Sequence, residues 1–315
     1  MKSKASAPGK IILFGEHFVV YGVKAILCAI DKRITVTAEN VQEEIISIKS
    51  NIGEHEFSLQ EYGTVTDLRF KPLYYLAKKM IDKHKKRSGI KITVESDIPS
   101  GVGLGSSSAC CVAAAAAISR LYEENSKEEI LKMAIEAERT IFQNTSGADC
   151  TICAFGGMII FDKKNGFSKI DYKPELHLVI ANSNIKHSTE KIVSKVKKFS
   201  ENNREEFLDM CKRESEIINQ ALTLLKNNDV RNLGKIMIEN QEFLERLGIS
   251  NEKIQNMIKM ANNISLGAKI TGAGGGGCII MLTNECDSKK IIETMRDKNY
   301  DCFDARIDFQ GLDTF

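Results

Sequence analysis

Residues 99–109, Pro-Ser-Gly-Val-Gly-Leu-Gly-Ser-Ser-Ser-Ala, restrict the possible folds of this chain more than any other stretch. Residues 89–96 before it alternate apolar and polar side chains and are rich in β-branched types, the pattern of a half-buried strand. Residues 109–121 after it are mostly alanine with other small or apolar residues, the composition of a closely packed, buried helix. Gly101, Gly103 and Gly105 can adopt positive φ and let the backbone approach a ligand with no Cβ in the way. Ser106, Ser107 and Ser108 then stand at the helix N-terminus, where unpaired N–H groups and the positive end of the dipole favour an anion. An ordinary serine cap needs one hydroxyl and no alternating glycines. The run from Pro99 and Ser100 through Val102 and Leu104 to Ser108 therefore reads as a phosphate cradle. It is not a Walker A loop, which ends in Gly-Lys-Ser/Thr, and Ser106 occupies the third glycine position of the dinucleotide fingerprint.

A chain of 315 residues has room for two domains with cores of their own. Its 44 basic and 42 acidic residues leave a net charge of +2, which gives no overall electrostatic bias toward nucleic acid or membranes. The basic run over 78–87 is mixed with Met80 and Ile81 and reads as the solvated face of a helix. Nine cysteines, with no secretory leader at the start of the chain, predict free thiols in a reducing compartment. Cys150-x-x-Cys153 has no second pair to complete a zinc site and is assigned to packing. No apolar run reaches the roughly 18–20 residues of a membrane span, so a cytoplasmic protein is expected.

Around the cradle, residues 11–14 form an apolar strand that runs into Gly15-Glu16-His17. Lys10, Glu16 and His17 are polar choices beside such a strand, and their clustering points to a site. Residues 25–30 read as a helical or extended element, 33–39 as a strand, and 43–49 and 54–59 as short strands. Leu73, Leu76, Ala77, Met80 and Ile81 mark an amphipathic helix within 70–86. A capping box at Ser126 and Glu129 opens a helix that runs to about Ile141, and Glu138 lies near its apolar stripe. Residues 144–149 read as a turn and 154–161 as a strand closing the first domain, with Asp149 placed between apolar elements. A hairpin at 163–166 and a polar linker lead to a division into domains 1–174 and 175–315. The second half reads as a strand at 176–181, a polar turn at 183–189, and two or three helices interrupted near 227–229 and 248. A strand at 268–271, the glycine-rich run 272–277, a strand at 278–282, a helix at 288–298 and a strand at 302–307 complete it. Residues 272–277 satisfy G-x-G-x-x-G in form, but a strand follows them, so the dinucleotide reading fails. Five glycines in six positions imply a backbone pressed against a ligand or against the first domain.

Three motifs in order, residues 7–17, 99–109 and 269–278, resemble the kinase superfamily that includes galactokinase, homoserine kinase, mevalonate kinase and phosphomevalonate kinase. Residues 15–22, Gly-Glu-His-Phe-Val-Val-Tyr-Gly, are similar to the mevalonate kinase branch, whereas galactokinases continue Gly-Glu-His with Thr-Asp-Tyr. The resemblance implies an α+β fold of two domains, the first like a ribosomal-protein fold and the second ferredoxin-like, with the active site between them. It implies transfer of the ATP γ-phosphoryl group to the C5 hydroxyl of mevalonate, in isoprenoid biosynthesis, and assembly as a homodimer. By carry-over, Ser107 and Glu138 hold Mg²⁺, the backbone of 101–108 cradles the phosphates, and Lys10 and Asp149 face the reacting hydroxyl. Glu16, His17, Thr189, Gly272 and Ala273 would lie along the mevalonate site. The sequence departs from the family at 143–147, Gln-Asn-Thr-Ser-Gly in place of Gly-x-Pro-Ser-Gly, at Cys150, and at 186–189, Lys-His-Ser-Thr. The alternatives are a relative acting on another small alcohol, such as phosphomevalonate or homoserine, and an inactive nucleotide-dependent regulator.

Overall fold

A computed structural model describes residues 1–59, 65, 67–99, 101–186 and 188–315. The chain opens with two long strands, β1 (Lys2–Phe14) and β2 (Ala25–Val41), paired antiparallel from Lys2 opposite Glu39 to Phe14 opposite Ile26. Strand character therefore begins well before residue 11, and 25–30 is extended rather than helical. Its β-branched residues Ile26, Ile30, Ile34 and Val36 are buried, as expected for side chains that suit a pleated surface. A hairpin of β3 (Ile45–Ser50) and β4 (Gly53–Ser58) follows, then α1 (Lys71–Lys83), β5 (Gly89–Ser96) and α2 (Ser106–Ser119). Next come α3 (Lys127–Arg139), α4 (Ala148–Phe155) and the hairpin of β6 (Met158–Asp162) and β7 (Gly166–Lys169).

Residues 148–155 form a helix where the sequence reading placed a turn and the start of a strand. Nothing in Ala148–Phe155 breaks a helix, and the stop is supplied by Gly156 and Gly157, both at positive φ. The strand begins only after them.

The first sheet runs β1-β2-β5-β3-β4, with β6 on β2 and β7 on β6. Helix α2 is buried along nearly its whole length against this sheet, between α1, α3 and α4. Five consecutive alanines at 113–117 allow that close approach, because small side chains let backbones pack on all sides.

The second half contains β8 (His177–Asn182), four helices, α5 (Thr189–Asn202), α6 (Arg204–Lys226), α7 (Val230–Arg246) and α8 (Glu252–Asn262), then β9 (Gly267–Ile270), β10 (Cys278–Thr283), α9 (Ser288–Arg296) and β11 (Asp301–Arg306). Its sheet has the order β11-β8-β10-β9 and every pairing is antiparallel, which is the ferredoxin-like arrangement. The end of the chain then returns to the first sheet. Ile307 bridges Ile30, and β12 (Asp313–Thr314) pairs with β1. Arg33 fastens this return through Asp308, Ser6 and the Gly311 carbonyl.

Among the described residues no helix is long and apolar enough to cross a membrane, and all nine cysteines are free, six of them buried. The basic run of α1 is met by carboxylates: Lys79 pairs with Glu136 and Lys83 with Glu123.

Candidate active site

The cradle meets β1 at one point of very close approach. Lys10 N–H donates to the Leu104 carbonyl at 2.9 Å, and the Lys10 side chain then passes directly beneath Gly105. A Cβ at residue 105 would lie 2.6 Å from Lys10 Cγ, and the residue sits at φ +72°, so only glycine is accommodated there. The Lys10 ammonium emerges 3.2 Å from Asp149 Oδ2. The Lys10 side chain is 6% exposed and that of Asp149 38%, so the pair is rooted in the core and opens on one side to a ligand. Asp149 lies in the first turn of α4, where unpaired N–H groups favour a carboxylate. The two residues expected to face the reacting hydroxyl are thus brought together, some 140 positions apart in sequence, beside the phosphate cradle.

Glu138 is 3% exposed on α3, as its place near the apolar stripe suggested. Its oxygens accept from the Ser108 and Thr145 hydroxyls, the latter at 2.6 Å. The hydroxyl that touches Glu138 is therefore that of Ser108 rather than Ser107. Along the first turn of α2 these neighbours point about 100° apart, and Ser107 faces a cavity in front of the helix. The donor set at this point, one carboxylate ringed by hydroxyls at a helix N-terminus, consists entirely of hard oxygens, which suits Mg²⁺. Among the described residues no group of three or more His, Cys, Asp or Glu gathers into a metal cage.

That cavity has a volume of about 520 Å³. Gly101, Ser106 and Ser107 form one end, and its walls are largely apolar, from Ile34, Ile52, Phe70, Leu73, Val94 and Ile141 among others. Pro99 and the residues from Gly101 to Ser108 lie where the cradle was expected, Gly101, Gly103 and Gly105 all at positive φ. Ser100 lies outside the described residues.

The Gly15-Glu16-His17 corner faces the second domain. His17 takes an unusual φ of 60° with ψ −43°, and its Nε2 is 2.8 Å from the Ala273 carbonyl, where it acts as the donor. Burial holds its imidazole below the usual histidine range, in the neutral form. Glu16 is fully enclosed and ion-paired with the equally buried Lys269 of β9, so its carboxylate presents no surface to a ligand. Burial raises its pKa, against the lowering effect of Lys269. Gly272 lies at φ +83° with Gly103 directly opposite, so the second glycine-rich run is pressed against the first domain, one of the two possibilities its composition left open. Thr189 is exposed as the first residue of α5, capped by Ser188.

Four features were not singled out in the sequence. Thr145 contacts Glu138. Thr271 Oγ1 donates to the Ile12 carbonyl at 3.0 Å and accepts from Ile12 N–H at 2.9 Å. Lys269 pairs with Glu16, and Glu214 accepts from Gly15 N–H at 2.9 Å. A signal existed for Glu214: it stands on the apolar stripe of α6 with Phe207, Met210, Ile217, Ile218 and Ala221, where an unpaired carboxylate would be costly.

Comparison with known proteins bears on the family. Residues 72–157 match the GHMP kinases N terminal domain and residues 221–301 the GHMP kinases C terminal domain. A mevalonate kinase of Pyrococcus furiosus is 36% identical over 302 residues, covering 90% of this chain and 89% of that protein. One from Aeropyrum pernix is 32% identical, covering 98% of this chain and 97% of its own length. The crystal structure of the Methanococcus jannaschii mevalonate kinase superposes with a TM-score of 0.86 at 30% identity, over 97% of this chain and 98% of that one.

Proposed function

The chain belongs to the GHMP kinase family, and on that premise we propose that it transfers the γ-phosphoryl group of ATP to the C5 hydroxyl of mevalonate, giving 5-phosphomevalonate for isoprenoid synthesis. The observation that supports this reading best is the Lys10–Asp149 ion pair lying against the glycine loop, because a carboxylate and a cation beside an anion-favouring helix N-terminus suit phosphoryl transfer to a hydroxyl.

Phosphoryl transfer with a loose transition state asks mainly for positioning and charge neutralisation. In this reading the backbone of 101–108, at the N-terminus of α2, binds the phosphates, and the apolar cavity beside it takes the base. Asp149 orients the acceptor hydroxyl and accepts its proton as the oxygen–phosphorus bond forms and the bond to the ADP oxygen breaks. Lys10 faces the charge that develops on the transferring group. Glu138, with Ser107 and the neighbouring hydroxyls, would hold Mg²⁺, which neutralises charge on the phosphate oxygens when bound. His17, Ala273, Gly272 and Thr189 remain the proposed lining of the acceptor site, whereas Glu16 acts from behind it. Assembly as a homodimer, which rests on resemblance, and a cytoplasmic location and a domain division at 174/175, which rest on the thiols and the polar linker of the sequence, complete the proposal.

A coupled assay of ADP release with Mg-ATP tests it, comparing mevalonate, phosphomevalonate, homoserine and galactose at equal concentrations. Selective turnover of mevalonate is expected. Turnover of another acceptor instead would keep the phosphate site and overturn the acceptor assignment.

A further inference from the structure

Behind the Gly15-Glu16-His17 corner, four polar side chains are sealed between the domains: Glu16, Lys269 of β9, Glu214 of α6 and Asn240 of α7, all fully buried. Lys269 Nζ donates to Glu16 Oε1 and, at 2.8 Å, to the Ile270 carbonyl. Glu214 Oε1 accepts from Gly15 N–H at 2.9 Å, and its Oε2 accepts from Asn240 Nδ2 at 2.6 Å. The junction thus holds two carboxylates and one ammonium, which pairs with Glu16, and it carries a net charge of −1 if both carboxylates are ionised. The other groups facing the cluster do not supply the missing charge. Lys10, which also acts on Glu16, already pairs with Asp149. Cys28 near Lys269 and Cys211, one turn before Glu214, are thiols that burial keeps protonated. Gln241 is neutral and accepts from Ile270 N–H.

Among the described residues no protein donor reaches two acceptors in this cluster, Glu16 Oε2 and Asn240 Oδ1. Two buried carboxylates with a single ammonium for both charges are completed by one proton, since a carboxylic O–H removes the surplus charge and supplies a hydrogen bond. The cluster also sits where it can act on the site. Gly15 has φ +96° with no room for a Cβ against Lys24 and Ala25, and His17 has a backbone conformation that its surroundings must impose. Glu214 holds the first of these residues, Glu16 is the second, and the third bonds Ala273.

We infer that Glu214 is a positioning residue for the acceptor site, and that a proton carried by Glu214 sets the posture of the Gly15-Glu16-His17 corner and hence the affinity for the acceptor. This rests on the acceptor reading above. Burial, followed by the charge of Glu16, pushes the Glu214 carboxyl up to about 7, so the proton is lost across neutral pH. Its loss leaves an uncompensated charge in the junction, and the corner loosens as pH rises. For stability the sign is the same. The native state holds a proton that the unfolded state releases near the ordinary glutamate value of 4.5, so stability falls as pH climbs from there to about 7 and is level above it.

The test is the KM for mevalonate at saturating Mg-ATP from about pH 6 to about pH 8.5 in wild type, Glu214→Gln and Glu214→Ala. Gln keeps the acceptor for Gly15 N–H, is neutral at every pH, and can donate to Asn240 Oδ1 once that amide turns. The wild-type KM should rise about threefold or more over this range, with the Gln variant flat within about 1.5-fold and the Ala variant raised throughout. The kcat values should move less than KM. A Gln variant that retains the wild-type pH dependence, or an Ala variant with unaltered KM, overturns the inference. If the acceptor reading itself is wrong, wild type will not turn over mevalonate at any pH. The melting temperature of the ligand-free protein then decides, because its decline between about pH 5 and about pH 7 should be shallower in Glu214→Gln by the share of one proton, and equal slopes overturn the inference.

Discussion

Replacing Gly105 by alanine sets a single methyl group between the glycine loop and the proposed catalytic pair, Lys10 and Asp149. The added Cβ would lie 2.6 Å from Lys10 Cγ and 3.3 Å from Cε, whereas carbon atoms rest at about 3.5–4.0 Å. Lys10 is fixed at its backbone by the bond to Leu104, so the side chain must yield by about 1 Å. Its ammonium then moves from 3.2 Å to beyond 4 Å from Asp149. The change in attraction is small, from about 5 to about 4 kcal/mol at an effective dielectric near 20 and less where Asp149 meets solvent. Positioning is the larger effect, because a misplacement of about 1 Å in a reacting constellation costs on the order of 10²-fold in rate, about 2.7 kcal/mol. The left-handed backbone adds about 1–2 kcal/mol of instability. Gly166→Ala is the control: φ there is +79° and a Cβ meets nothing within 4 Å, so it carries the backbone cost alone. Steady-state kinetics with thermal melting of both variants should show similar losses of stability and a kcat reduced about 100-fold only in Gly105→Ala. A folded Gly105→Ala enzyme with kcat within about threefold of wild type would refute the reasoning.

Asp149→Asn should lower kcat by about 10³-fold or more while the nucleotide affinity, measured by calorimetry, stays within about threefold; near-normal turnover counts against the proposed proton acceptor. Lys10→Met should reduce kcat more than it changes KM for ATP, and the reverse split would move Lys10 to nucleotide binding. Glu138→Gln should raise the Mg²⁺ concentration for half-maximal rate about tenfold, and an unchanged Mg²⁺ dependence would remove Glu138 from the metal site. Lys269→Met leaves two buried carboxylates without a cation and should cost about 3–5 kcal/mol in denaturant unfolding. Adding Glu16→Gln to Lys269→Met should recover part of that loss, and a double variant no more stable than the single would argue against the pairing.

The sequence by itself determined the elements that rest on local rules. Three glycines before three serines specify a strand-to-helix anion loop, because positive φ and unpaired N–H groups are properties of the chain within a few residues. The apolar periodicity of α1 and the capping box of α3 are equally local, and both helices lie where they were expected. The stretch over 148–161 was misread because alanine, cysteine, isoleucine and phenylalanine in a buried run suit helix and strand alike, and only Gly156-Gly157 marks the change. The tertiary structure decided everything that depends on approach between distant segments. It put Ser108 rather than Ser107 against Glu138, since helix phase and the position of α3 together choose the hydroxyl. It moved Glu16 from the wall of a ligand site to a buried junction, because the partner that claims its carboxylate, Lys269, comes from β9 of the other domain. A residue type announces that it needs a partner, but which partner satisfies it is a property of the packed fold alone.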